Sequence, residues 1–196
     1  MTRRPGDPLV RRALAALAEV GRKAEPAPGF PVPKPPPELI LTTPEHLLAF
    51  GLGAGLSPVG PGTVGTLVGV LMWLALCWLP WPAYAVAVLA LFVLGCWLCG
   101  ASARLLGVPD YGGIVFDEIV GFQVAALPLV PALGWIAEPK VLWVALAFGL
   151  FRLFDIWKPW PIRALDRGVH DGLGIMLDDV LAGIYAAAIL AALGAL

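Results

Sequence analysis

From Leu47 to Ala103 the sequence contains no Asp, Glu, Lys or Arg, and charged residues make up only 14% of the chain. Ordinary soluble domains carry about 25% charged residues. The absence therefore excludes a conventional soluble domain over this region. Two stretches within it, Val64 to Leu79 and Ala83 to Gly100, approach the ~20 apolar residues that cross a bilayer as a helix. We predict an integral membrane protein.

Cysteine is also scarce, with three residues in the whole chain. Cys77, Cys96 and Cys99 lie in or near apolar stretches, so we expect free thiols that pack as small hydrophobic groups rather than a disulfide framework. Segments of about ten residues with alternating polarity, which are typical of membrane-spanning strands, are lacking as well. The spacing of apolar residues along the chain is helical or uninformative, and the predicted fold class is all-α.

Three further apolar stretches carry charges and are weaker candidate spans: Ile114 to Leu133, Val141 to Trp157 and Ile175 to Leu196. Phe50 to Leu56 is too short to cross a bilayer and is a candidate re-entrant or interfacial segment. We therefore predict a polytopic membrane helical bundle with about four to five spans.

Residues 1–44 have a different composition and are predicted to form a basic, Pro-rich cytoplasmic tail, with a membrane-embedded domain over residues 45–196. Seven of the thirteen basic residues lie within the first 46 positions. The stretch Pro26 to Glu38 predicts a polyproline-type linker. Arg11 to Lys23 fits either a solvated tail or a short amphipathic helix on anionic lipid.

Basic residues favour the cytoplasmic side of a membrane. With five spans and a cytoplasmic tail, the loops around Arg104 and Lys158 to Arg167 also lie inside, and Lys140 falls outside. Four separated polar clusters then meet at the cytoplasmic face: Leu56 to Thr66, Asp117 with Glu118, Phe151 to Arg163, and Asp178 with Asp179. Because a carboxylate within a bilayer costs at least ~2.5–3.5 kcal/mol, this convergence indicates a functional site.

Each cluster also has a structural explanation. Arg152, Asp155 and Lys158 are spaced by three residues; they could pair with one another, or the bases could bind phosphate oxygens while the acid binds a metal ion. Asp178 and Asp179 could offset the dipole of a helix that begins there.

The segment Gly51 to Thr66 offers hydroxyl and backbone N–H groups to an anion. Its glycines, together with Gly69, also suit close helix packing. Among the histidines, His170 lies nearest the expected site, but we favour a solvated loop position for it over a catalytic role.

Four segments, in this order and spacing, resemble the motifs of the phosphatidylglycerophosphatase A family: GLSPVGPGT, YGGIVFDEIVG, FRLFDIWKPWPIRALDR and GIMLDDVLAG. The resemblance runs from about His46 to the C-terminus. It implies a Mg²⁺-dependent lipid phosphatase of the bacterial inner membrane, with its site on the cytoplasmic side. The implied substrate is phosphatidylglycerophosphate, hydrolysed to phosphatidylglycerol and phosphate.

The resemblance places Asp117, Glu118, Arg152, Asp155, Lys158, Asp178 and Asp179 in the site. From side-chain chemistry we assign three roles. The expected catalytic residues are Asp117, Glu118, Asp155 and Lys158. The expected phosphate-binding residues are Ser57, Thr63, Arg152, Lys158 and Arg163. The expected Mg²⁺ ligands are Asp117, Glu118, Asp155, Asp178 and Asp179.

Attack by water and an aspartyl-phosphate intermediate both remain compatible with these residues. The competing function is a small ion-coupled transporter, whose carboxylates would form an ion pathway. The outer halves of the predicted spans are almost purely apolar, which favours an enzyme confined to one membrane face. No nucleic-acid partner is expected.

Overall fold

The computed structural model describes residues 34–108, 111–134, 141–168 and 171–195, which contain helices and no strand. The all-α prediction is therefore confirmed over these residues, whereas the predictions for residues 1–33 lie outside them. The α-helices are α1 (Pro37–Thr42), α2 (Pro44–Ala49), α3 (Pro61–Leu76), α4 (Trp81–Leu106), α5 (Phe116–Ala125), α6 (Val141–Trp157), α7 (Ile162–Gly168) and α8 (Gly172–Gly194).

The end of the predicted polyproline linker is helical instead. Pro37 is the first residue of α1, and Pro44 is the first residue of α2. Proline suits the first helical position, because its fixed φ matches the helix and its missing N–H would have no partner there. Ile40 of α1 is fully buried, so this part of the N-terminal segment packs on the helical body.

Helix α5 is the centre of the body and packs against α3, α4, α6 and α8. Seven of its ten residues are buried. The sequence predicted a continuous span from Ile114 to Leu133, and this prediction is wrong in length. After Ala125 the chain forms two short 3₁₀ turns, Leu127–Leu129 with Pro128 at its second position and Pro131–Leu133 with Pro131 at its first, since proline disrupts α-helical hydrogen bonding. At 1.5 Å per residue the helix reaches only about 15 Å, roughly half the hydrocarbon thickness of a bilayer.

Two of the described helices are long and apolar enough to cross a membrane, namely α4 with 26 residues and α8 with 23 residues. Helices α3 and α6 are apolar but shorter, at 16 and 17 residues. The segment Gly51–Leu56 forms 3₁₀ turns with left-handed backbone at Leu52 and Gly53. The number of four to five spans stays a prediction.

Glycines bring the helices around α5 unusually close together. A Cβ atom at Gly65 of α3 would lie 2.6 Å from Val115 Cβ, and one at Gly69 would lie 3.2 Å from Ile119 Cα. On the opposite side, a Cβ atom at Gly183 of α8 would lie 2.5 Å from the carbonyl oxygen of Gly121. The packing role that the sequence left open for Gly65 and Gly69 is therefore present in the structure.

Gln123 joins three helices through buried polar contacts. Its side-chain Nε2 donates to the Gly69 carbonyl oxygen of α3 at 2.8 Å, and its backbone carbonyl oxygen accepts from the Tyr84 hydroxyl of α4 at 2.7 Å. Buried polar groups require such partners. The contacts fix the rotation of α5 and hence the direction of the acids in its first turn.

We predict that Gly183→Ala destabilises the protein by about 1–3 kcal/mol, because the added methyl group meets backbone that has little room to move. Thermal melting in detergent measures the change. Gly149→Ala is the matched control: nothing lies within 4 Å of the added carbon, and alanine favours helix over glycine. Equal melting temperatures for the two variants would contradict the close-contact interpretation.

Candidate active site

Three carboxylates from two helices converge on one point. Asp117 and Glu118 lie in the first turn of α5, and Asp179 lies on the facing side of α8. One oxygen atom from each group lies within 4.8 Å of the others, a grouping that can hold a metal ion. The glycine contact between the helices sets this spacing, since a Cβ atom at Gly121 would lie 2.9 Å from the Asp179 carbonyl oxygen.

The three-acid cluster is largely shielded from solvent. Asp179 is 2% exposed, and the Glu118 side chain is 13% exposed. Among the described residues, Glu118 Oε2 and Asp179 Oδ2 are buried and have no hydrogen-bond partner. Buried carboxylate oxygens without partners are costly, and a cation removes that cost. Hard oxygen donors suit Mg²⁺ or Ca²⁺, so the residues present fit a divalent cation.

The side chains of Asp178 and Asp179 lie in two different places, although both were expected to bind the Mg²⁺ ion. Helix α8 begins at Gly172, and Asp171 caps it by accepting hydrogen bonds from the N–H groups of Leu173 and Gly174 at 3.1 and 3.0 Å. Asp178 and Asp179 therefore lie well inside the helix, and the proposed dipole role for them is wrong. Because neighbouring residues point about 100° apart on a helix, only Asp179 reaches the three-acid cluster.

Arg152 of α6 borders the cluster. Its Nη1 atom lies 3.6 Å from Glu118 Oε1, and the same atom forms an ion pair with Asp155. The pairing of Arg152 with Asp155 that the sequence allowed is thus present. Asp155 is not one of the three grouped acids, but its side chain also lies within hydrogen-bonding reach of Asp179.

The N-terminus of α3 approaches the same pair of side chains. A Cβ atom at Gly62 would lie 2.1 Å from Glu118 Oε1 and 3.0 Å from Arg152 Nη1. Only glycine leaves room for both groups here. The first turn of a helix also carries unsatisfied N–H groups and a partial positive charge, which favours the nearby carboxylate.

Lys158 lies just beyond the end of α6 and bridges two acids. Its Nζ atom contacts Asp166 Oδ1 at 2.5 Å and Asp178 Oδ2 at 2.6 Å. Burial lowers the pKa of Lys158, but the hydrogen bonds and charges of Asp166 and Asp178 outweigh it and raise that pKa above its usual value. Lys158 is therefore a permanent cation. Asp166 escaped the sequence analysis, although it lies in the same motif as Lys158.

The remaining predicted residues do not enter the cluster. The Ser57 hydroxyl donates to the Val59 carbonyl oxygen at 2.8 Å, and Thr63 is exposed in the first turn of α3. Arg163 is exposed and donates to the Trp157 carbonyl oxygen at 3.2 Å. His46 is buried elsewhere, and His170 lies outside the described residues.

Together the fold and the cluster define a helical protein with three converging carboxylates that could hold a cation, and with an arginine beside them. The chain belongs to the phosphatidylglycerophosphatase A family, whose model matches residues 47–194. No solved structure matches it.

Three similar proteins have curated names. Phosphatidylglycerophosphatase A of Escherichia coli strain K12 is 44% identical over 80% of this chain and 87% of its own length. Phosphatidylglycerophosphatase A of Haemophilus influenzae is 45% identical over 76% of this chain and 88% of its own. A Bacteroides thetaiotaomicron protein whose name proposes a phosphatidylinositol-3-phosphatase is 37% identical over 71% of this chain and 86% of its own.

Membership confirms the family resemblance and the prediction of an enzyme of the phosphoric monoester hydrolase class. It does not favour the transporter alternative. Sequence reasoning missed two residues at the site, Asp166 and Gly62. Both lie within the motifs that carried the resemblance, but their contacts appear only when α3, α6 and α8 are assembled.

We predict that Gly62→Ala lowers phosphatase activity at least ~10-fold, because the new methyl group must displace Glu118 or Arg152 from the cluster. Release of phosphate from a lipid phosphomonoester measures the effect. Gly112→Ala is the control, since it adds the same methyl group at an exposed position with nothing within 4 Å. Activity of Gly62→Ala equal to that of the control would show that the α3 terminus does not hold these groups in place.

Proposed function

We propose that the protein is a Mg²⁺-dependent phosphatidylglycerophosphatase, which hydrolyses phosphatidylglycerophosphate to phosphatidylglycerol and inorganic phosphate. The observation that carries the proposal is the three-acid cluster of Asp117, Glu118 and Asp179 in a chain of this family. Two of its buried oxygens lack partners among the described residues, and the donor chemistry suits Mg²⁺.

In this proposal Asp117, Glu118 and Asp179 hold the ion, which when bound supplies positive charge for the phosphoryl oxygens and lowers the pKa of a bound water. Arg152 presents N–H donors beside the ion site, and its planar group suits phosphate oxygens. Asp155 orients Arg152 through their ion pair. The sequence had made Asp155 a metal ligand, and its position as the arginine's partner supports the orienting role instead.

Lys158 has a different part in the proposed mechanism. Asp166 and Asp178 hold its ammonium group from two sides, which fixes a flexible side chain in one place. A fixed cation beside the acids attracts the phosphomonoester and balances charge as the ester bond breaks. In this proposal Asp178 therefore positions Lys158 and does not bind the ion.

We further propose that the enzyme lies in the bacterial inner membrane with its site on the cytoplasmic side. Helices α4 and α8 have the required length and hydropathy. Large apolar side chains are exposed along α4, with Val86 66%, Leu89 62% and Val93 61% accessible. A lipid environment accommodates such a surface, whereas water does not. The excess of basic residues in the N-terminal tail supports the cytoplasmic orientation.

The direct test is phosphate release by the purified protein in detergent, with phosphatidylglycerophosphate and either Mg²⁺ or a chelator. We expect release only with Mg²⁺. Phosphatidylinositol 3-phosphate serves as the competing substrate, because one relative carries that name. Equal release with the chelator would eliminate the metal proposal, and faster release from the inositol lipid would overturn the substrate proposal.

We predict that Asp179→Asn and Glu118→Gln each lower kcat/KM at least ~10²-fold, because each keeps its shape but loses an anionic ligand. A second measurement does not depend on turnover: Mg²⁺ should raise the melting temperature of the wild type and of the exposed control Glu38→Gln, but not of Asp179→Asn. If Mg²⁺ stabilises Asp179→Asn as much as the wild type, Asp179 is not a ligand.

A further inference from the structure

One face of α6 forms an open apolar groove that none of the described helices covers. Gly149, Leu153, Ile156 and Trp157 line it together with Arg152. These residues recur every three or four positions and therefore share one side of the helix. Leu153, Ile156 and Trp157 are 52%, 72% and 59% exposed. The groove is therefore an exposed apolar surface, whose contact with water is unfavourable.

Gly149 forms the open floor of this groove. No atom lies within 4 Å of the position that its Cβ would occupy, in contrast to the glycines that hold α5 against its neighbours. A glycine within a helix destabilises it relative to alanine. No contact between helices requires a glycine at position 149, so the open space beside it needs another explanation.

Arg152 connects the groove to the three-acid cluster. It lines the groove, and its Nη1 atom lies 3.6 Å from Glu118 Oε1. An apolar groove that includes a cation, and that reaches the three-acid cluster through this cation, matches a molecule with a hydrocarbon chain and an anionic head. A phospholipid that carries a phosphomonoester has this form.

We propose that the groove along Gly149, Leu153, Ile156 and Trp157 holds an acyl chain of the lipid substrate, while the phosphate head lies at Arg152 and the three-acid cluster. The proposal rests on the proposed function and adds the part of the site that distinguishes a lipid from a small phosphate ester.

The test fills the groove without disturbing the fold. Gly149→Leu places a branched side chain into the open space, and leucine is a good helix former. The activity of each variant is measured on phosphatidylglycerophosphate with two oleoyl chains and on the same lipid with two hexanoyl chains, in one detergent. We expect Gly149→Leu to lower the long-chain to short-chain ratio of kcat/KM by about 10-fold. The ratio cancels any change that affects both substrates equally.

Ala90→Leu is the matched control, because Ala90 is exposed on the apolar surface of α4 and the substitution adds similar bulk. It should leave the ratio within about twofold of the wild-type ratio. An unchanged ratio in Gly149→Leu would overturn the proposal and assign the groove to bulk lipid. A changed oligomeric state with an unchanged ratio would overturn it too and assign the groove to a second copy of the chain. If the wild type hydrolyses neither lipid, the proposed function itself fails, which is a separate result.

Discussion

The close contact of α5 with α8 is the constraint on which the site depends. Gly121 and Gly183 remove the side chains that would separate the two backbones, and this approach brings Asp179 to Asp117 and Glu118. Each acid belongs to a largely apolar helix, and each alone would destabilise the folded protein if it were buried without a partner. Placed together, they form a group that could hold a cation.

The charges around this contact do not balance within the side chains themselves. Six carboxylates (Asp117, Glu118, Asp155, Asp166, Asp178 and Asp179) lie beside two cations, Arg152 and Lys158. Lys158 pairs with Asp166 and Asp178, whereas Arg152 pairs with Asp155 and also contacts Glu118 of the three-acid cluster. The three acids of the cluster outnumber the one arginine beside them, and a divalent cation would offset the negative charge that they carry when ionised.

The short length of α5 explains how polar groups are tolerated at the centre of an apolar body. A helix of ten residues places its N-terminal turn inside the ring of longer helices rather than at a distant surface. The positive end of its dipole then favours Asp117 and Glu118. A short helix can lie inside an apolar body where other helices surround it. Helices α3, α4, α6 and α8 surround α5 in this way.

The sequence by itself determined the all-α class, the family and most residues of the site, because apolar length and polar motifs are local properties of the chain. The tertiary structure decided the rest. Asp178 and Asp179 are adjacent and chemically identical, yet one faces Lys158 and the other the three-acid cluster. Pro128 and Pro131 shortened a segment whose composition alone predicted a full span. Gly62 and Asp166 matter only through contacts with distant helices. Such roles depend on the rotation and spacing of packed helices, which close packing sets across the whole body and no single motif encodes.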